Sequence, residues 1–273
     1  MAEVDVRYLR DKNVAHLLES IAADLAIQKP DNPEMYLRER FALSSSDPSQ
    51  KGVGQGETVT IHANSLDPCC AMVLLAAGYA RVAVEYSEVD IDTNKHLTSA
   101  FTELNPFQKV PVLEHQGLVV SDSGAIVRYL CHDRPALPRA PRDRARIDAA
   151  FEAIRNQLLP EVTASAVEAV FAPRRSRRPV DQAALAATVQ RVREVVSTIS
   201  AAFFRDSVWV IGRSLSLADI ALAAAAFTMA GVVGEDVFTD GPAKVWFDAI
   251  QREPFYNESL KGFAAAAAQA RGK

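Results

Sequence analysis

The stretch NPFQKVPVLEHQGLVVSDSGAIVRYL, residues 105 to 130, sets a proline, Pro111, directly before an apolar run with strand character. Proline has no N–H to give to a sheet ladder, so only an edge, a first strand position or a bulge accepts it. VPVLE and LVVSD read as two short strands joined at the Gln116-Gly117 turn, and the polar triplet Ser121-Asp122-Ser123 opens a helix, SGAIVRYLCHD. A turn, a proline-led strand and a polar helix start in fixed order leave few arrangements open. They also gather backbone groups, a hydroxyl and a carboxylate, which suits a small polar ligand.

The flanking pattern narrows the fold. TVTIHAN alternates Val59, Ile61 and Ala63 as a strand, PCCAMVLLAAGY runs as a helix from its proline, and VAVEYSEVD is a second strand, together a βαβ unit. KHLTSAFTEL supplies a short helix before the proline-led strand. The order βαβαββα over residues 58–133 predicts an α+β layer with helices covering a small mixed sheet. From about residue 142 every pattern is helical: RARIDAAFEAIRNQLLPEV, DQAALAATVQRVREVVSTISAAFF, SLADIALAAAAFTMAGVV and AKVWFDAIQREP, an all-helical domain over 142–262. Ser216 and Asp219 in SLADI have the spacing of a capping box, a structural device. PRRSRRP, 173–179, has no interleaved aromatic residues and reads as a solvated loop between two helices.

The N-terminal part differs. VAHLLESIAADL puts Val14, Leu17, Leu18, Ile21 and Leu25 on one helical stripe, Pro30 and Pro33 interrupt it, and PEMYLRERF restarts a helix with Pro33 in its first turn. Such a hairpin, residues 5–43, cannot close a core alone, and a second copy would complete a four-helix bundle. SSSDPSQKGVGQGE, residues 44–57, is rich in Ser and Gly and reads as a flexible tether reaching about 20 Å.

Composition excludes several classes. With 30 Lys and Arg against 34 Asp and Glu, a net charge of -4 gives no global reason to bind nucleic acid or an anionic membrane. No apolar run approaches the roughly 20 residues of a membrane span, and MAEVDVRYLRDKN lacks the apolar core of a signal peptide, so a cytoplasmic protein is expected. Cys69, Cys70 and Cys131 make no even disulfide framework and are expected as reduced thiols, the first two more readily buried hydrophobes than reactive groups. The five scattered histidines have no metal-ligand spacing, and no metal is expected.

NPFQKVPVL, the Asp-Ser step at a helix start, KHLTSAF before them and SLADI downstream together resemble the cytosolic glutathione transferases, most closely their theta-like branch, over roughly residues 58 to 260. The resemblance implies a thioredoxin-fold glutathione-binding domain followed by the family's helical domain, with a cis proline at Pro111 that turns the Val110 backbone outward. Val110 would then pair with the cysteinyl unit of glutathione like an added strand. Asp122 would meet the γ-glutamyl ammonium, the Ser123 hydroxyl and the following helix amides its carboxylate, and Lys109 and His96 the glycyl carboxylate. Taken singly, a Val-Pro or Asp-Ser step is ordinarily a turn or a helix cap. Independently, YLRDKNVAHLLESIAADLAIQKPDNPEMYL resembles the dimerization/docking module of type II regulatory subunits of cAMP-dependent protein kinase. That likeness implies a homodimer whose apolar groove takes an amphipathic helix of an anchoring protein, tethering the chain to a cytoskeletal or ciliary structure.

One departure bears on catalysis. Theta-like enzymes usually carry a serine two residues before the proline that opens the first helix, and in NSLDPCC that position is Leu66, which has no donor. Ser65 is the nearest substitute and Asn64 the next, while Asp67 would oppose thiolate formation. The expected function is therefore weak conjugation of glutathione to a small apolar electrophile; the alternative is a catalytically weak or inactive scaffold of the same fold.

Overall fold

The computed structural model describes residues 52–54, 56–205 and 207–271, together with positions 18, 19, 21–23, 25, 26, 29, 32–34, 36 and 37. The chain divides into two units, Met1–Lys51 and Gly52–Lys273. In the first, the described positions from 18 to 26 are helical, Lys29 turns left-handed with φ 42°, and positions 33, 34, 36 and 37 are helical again. The Lys29 amide donates to Leu25 O at 2.9 Å and the Tyr36 amide to Asn32 O at 3.1 Å. Leu18 is exposed; Val14, Leu17 and much of 5–43 lie outside the described residues, as do 44–51.

The second unit opens on a strap rather than a free linker. Val53 is buried, the Gly56 amide donates to Arg81 O, and Glu57 O accepts from the Ala83 amide at 2.9 Å. Of the tether expected over 44–57, Val53 thus packs into the core and Gly56 and Glu57 are hydrogen-bonded to Arg81 and Ala83. There follow β1 (Thr58–Ala63), α1 (Pro68–Ala80), β2 (Ala83–Glu88), a 3-10 turn (Lys95–Leu97), α2 (Ser99–Leu104), β3 (Val112–His115), β4 (Leu118–Val120) and α3 (Ser123–Leu130). The sheet order is β2-β1-β3-β4, with β1 parallel to β2 and antiparallel to β3, and β3 antiparallel to β4. This is the α+β layer expected from the βαβαββα order. KHLTSAFTEL does not form one helix: Thr98 is extended and caps α2 through its hydroxyl, splitting the segment after Leu97.

Helix α1 is buried around nearly its whole circumference, from Cys70 to Ala77, as its uniform apolarity requires. The helices after it supply the cover. A continuous helical run goes from α4 (Pro141–Ala153) through a π-turn (Ile154–Leu158) into α5 (Leu159–Ala166), then through a second π-turn (Val167–Phe171) into α6 (Ala172–Ser176). Pro160 and Pro173 explain both turns, since each lacks the N–H that a regular helix would use and a widened turn just ahead relieves the ring clash. The first residues of PRRSRRP are therefore the end of α6, and only the rest is the exposed connection to α7 (Gln182–Phe203).

The remaining helices are α8 (Leu217–Phe227), extended by a π-turn (Thr228–Val233), α9 (Gly241–Ile250), α10 (Pro254–Ser259) and α11 (Lys261–Arg271). The last extends beyond the boundary expected at 262; its alanine run, KGFAAAAAQAR, shows no apolar stripe that periodicity could detect. Helix α8 packs on α1 and α4, and α10 packs on α1 so closely that a Cβ at Gly78 would collide with Ser259.

Asp219 locks this arrangement. Its Oδ2 accepts from the Ser216 amide at 2.8 Å and the Ser216 hydroxyl at 2.7 Å, and its Oδ1 from the Val210 amide and Trp246 Nε1, both at 2.9 Å. Burial pushes its carboxyl above the usual range, and these donors pull it back. Asp219→Ala would orphan three buried N–H donors, so urea denaturation should show a loss of roughly 4 kcal/mol. A loss below about 1 kcal/mol would mean that water replaces the carboxylate.

Candidate functional site

The site forms at the end of the sheet where β1 stops. The β1–β3 register ends with His62 opposite Val112, which brings Val110-Pro111 alongside the Asn64–Asp67 turn. The Val110-Pro111 peptide is cis, Pro111 is buried and Val110 is half-buried. The loop before it is held by Asn105, fully buried, whose Nδ2 donates to Lys109 O at 2.6 Å and whose Oδ1 accepts from the Phe107 amide at 3.0 Å. Gln108 takes a left-handed φ of 57°, and Phe107 and Lys109 are exposed.

The turn itself is closely braced. Asn64 Nδ2 donates to Val89 O at 3.1 Å and Glu88 Oε1 at 3.3 Å, and its Oδ1 accepts from the Leu66 amide at 3.1 Å. Asp67 caps α1, accepting from the Cys70 amide at 2.9 Å, and burial raises its carboxyl pKa against those backbone bonds. Leu66 and Asp67 face a small cavity of about 120 Å³ bounded by Ile91, Thr163, Val167 and Phe171. Ser65 instead lines a larger cavity of about 350 Å³ beneath α11, with Tyr86, Glu88 and Phe263.

At the start of α3, Asp122 caps the helix through the Ala125 amide at 2.9 Å and pairs with Arg155 at 3.0 Å. Arg155 also reaches Glu152 at 2.9 Å and lies over the Phe151 ring, so close to α3 that a Cβ at Gly124 would strike its guanidinium. Glu152 bridges onward to Arg128, which also holds Asp148 at 2.8 Å. Ser123 is buried, and its hydroxyl lies against the Cys69 thiol in the first turn of α1. Burial, then the Asp67 charge, push Cys69 up to about 12. Burial likewise raises Cys70, and Cys131 to about 12.

The structure thus brings Val110, Pro111, Asn64 and Ser65 to one end of the sheet, and ties Ser123 to the same end through Cys69. Asp122 stands beside them, already paired with Arg155. His96 lies half-buried in the 3-10 turn, its Nδ1 buried and without a partner among the described residues, and Lys109 is on the surface loop. Sequence reasoning missed Arg155, which stands 33 positions from its partner with no local cue, and Tyr86 and Glu88, which it read only as part of a strand. Among the described residues no His, Cys, Asp and Glu cluster could hold a metal ion, and no helix is long and apolar enough to cross a membrane.

Chemically, this end of the sheet offers main-chain groups, a helix N-terminus and both signs of charge, and Ser65 there borders an apolar cavity. A family model described as glutathione S-transferase, N-terminal domain, matches residues 58–132. Glutathione S-transferase 4 of Zea mays is 31% identical over 165 residues, which are 59% of this chain and 73% of the maize protein. Glutathione S-transferase theta-1 of Bos taurus is 26% identical over 164 residues, 59% of this chain and 68% of the bovine protein. Among solved structures, apo human glutathione-S-transferase T1-1 matches with a TM-score of 0.67 at 23% identity, over 79% of this chain and 91% of that one. Glutathione transferase F2 from Populus trichocarpa matches with a TM-score of 0.66 at 20% identity, over 76% of this chain and 99% of that one. At these identities the structural likeness speaks for the fold.

Thiols with pKa values this high are almost wholly protonated at neutral pH, so none of the three cysteines is built as a nucleophile. Native protein treated with iodoacetamide at pH 7.5 should retain all three thiols while denatured protein loses them within the same hour, counted by intact mass. Rapid native alkylation at Cys69 would show that the cleft stabilises its thiolate after all.

Proposed function

Because the chain belongs to the glutathione S-transferase family, we propose that it binds glutathione at the end of β1 and β3 and transfers its thiol, slowly, to a small apolar electrophile. The observation that carries this reading is the meeting of three elements at one end of the sheet: the Val110-Pro111 step, the β1–α1 turn, and the start of α3 with Asp122 and Ser123. Val110 offers its main-chain N–H and C=O to the cysteinyl unit, and Pro111 sets the direction of that backbone. The Ser123 hydroxyl and the free amides of α3 take the γ-glutamyl carboxylate. Asp122 takes the ammonium, while Arg155 holds its carboxylate in place. His96 and Lys109 serve the glycyl carboxylate, as the family resemblance implies for both.

Activation of the sulfur falls to Ser65. Leu66 occupies the position where the family's theta-like members carry serine, and the amide hydrogens of Asn64 are committed to Val89 and Glu88, so Asn64 holds the turn rather than the thiol. The Ser65 hydroxyl borders the cavity beneath α11, which is the natural place for the electrophile. Asp67 and Glu88 beside the turn oppose a negative sulfur, which keeps turnover low. A cytoplasmic setting suits the three reduced thiols.

A second reading concerns the N-terminal unit. We infer that residues 5–43 form a homodimeric docking module that receives an anchoring protein's amphipathic helix and fixes the chain to a cytoskeletal or ciliary structure. Support comes from the helix–break–helix order at the described positions and from the exposure of Leu18, 60% in a single chain. If transferase activity is absent, this module makes the chain a glutathione-binding scaffold.

Calorimetry with glutathione should show Ser123→Ala weakening binding by roughly 1 to 3 kcal/mol, the range for hydrogen bonds to charged groups. Unchanged binding in both Ser123→Ala and Asp122→Ala would move the site elsewhere. In a conjugation assay, Ser65→Ala should move the rising limb of the pH–rate profile to higher pH, since loss of a donor destabilises the thiolate. Full activity with an unshifted limb would remove Ser65 from that role, and binding without conjugation in the wild type would leave the scaffold reading.

A further inference from the structure

The cavity beneath α11 has apolar walls and one charged group at its rim. Leu74 of α1, Val84 of β2, and Phe263 and Ala266 of α11 enclose about 350 Å³, room for a bicyclic aromatic molecule. The Tyr86 ring meets Phe263 edge to face at 6.1 Å, so α11 is seated on β2 by an aromatic contact. At the rim, the Glu88 carboxylate accepts only neutral donors: the Tyr86 hydroxyl at 2.5 Å on Oε2, and the Asn64 side-chain amide at 3.3 Å and Ser65 amide at 3.4 Å on Oε1. Lys95 approaches at 3.5 Å, but its ammonium donates to the Glu88 main-chain oxygen. Among the described residues, therefore, no cation pairs with this carboxylate.

Three donors hold the carboxylate in position while leaving its charge whole. An apolar cavity edged by a negative charge that pairs with no cation among the described residues favours a ligand with the complementary end. We propose that the cavity takes apolar molecules bearing a cationic or hydrogen-bond-donating end, seated on Glu88, and turns anionic ones away. This names the class of second substrate for the transferase reading and rests on that reading for calling the ligand an electrophile; the charge preference itself does not. Glu88 acts here as a specificity determinant, not as a participant in bond making. Because its side chain is exposed, the discrimination is moderate and sensitive to salt.

Three isosteric probes test it on the full chain without glutathione: 1-naphthylmethylamine, 1-naphthylmethanol and 1-naphthoic acid at pH 7, with Kd from calorimetry. The amine should bind about fivefold more tightly than the alcohol, and the acid more weakly than either, with the gaps narrowing in 0.5 M salt. Glu88→Gln, which keeps an acceptor and loses the charge, should bring amine and alcohol within twofold. Ala266→Phe should weaken all three at least tenfold; Gly262→Leu, at a lining position where an added Cβ meets nothing within 4 Å, is a second occluding variant. Equal binding of acid and amine, a preference that survives Glu88→Gln, or indifference to both occluding variants would overturn the proposal. Glutathione titrated into the same wild-type sample separates the two ideas: no glutathione binding with the charge preference intact removes the transferase reading alone.

Discussion

The side chain of Asn64, buried at the end of β1, gives its amide hydrogens to β2 and its oxygen to the Leu66 amide, while its own N–H reaches Cys70 Sγ at 3.4 Å. One residue thus joins the last strand position, the neighbouring strand and the first turn of α1. The direction of each side chain in Ser65-Leu66-Asp67 follows from that bracing. Leu66 is turned to the cavity beside α5, Ser65 to the cavity beneath α11, and Asp67 to the amides of α1. Without it the turn would be a short loop with several accessible shapes.

Charge at the other side of the cleft is organised by a chain rather than a pair. Asp122, Arg155, Glu152, Arg128 and Asp148 alternate in sign across α3 and α4, and both guanidiniums lie over Phe151. Any one of these partly exposed pairs contributes little. Together they hold Asp122 at the helix start in one orientation, which a lone cap at a solvent-facing terminus would not do. The ring beneath them supplies a flat apolar surface on which the guanidiniums stack.

Much of this was legible in the sequence because it is local. Strand alternation, the proline that opens β3, the Asp-Ser step and the Ser216–Asp219 spacing each act within a few residues, and each recurs in the structure at the expected place. What escaped was non-local or unpatterned. Arg155 finds Asp122 only because the π-turn after α4 lies beside the start of α3; Tyr86 and Glu88 on β2 border a cavity only because α11 lies across from them; and α11 itself is an alanine run with no stripe. The helical pattern read through Pro160 holds, and the run also passes Pro173, where the sequence predicts a loop; a widened turn precedes each proline. Val53, one apolar residue in a Ser/Gly-rich stretch, carried too little signal to show that the segment packs.

The two walls of the larger cavity differ in how freely they can vary. Helix α1 is enclosed on every side, so a change at Leu74 propagates into the core and is paid for in folding. Helix α11 presents Gly262 and Ala266 to the cavity, and a Cβ added at Gly262 meets nothing within 4 Å. The cavity therefore couples a conserved-by-physics floor to an evolvable lid. Exchanges of small residues on the last helix would change the cavity's shape while the folding problem stays solved elsewhere in the chain.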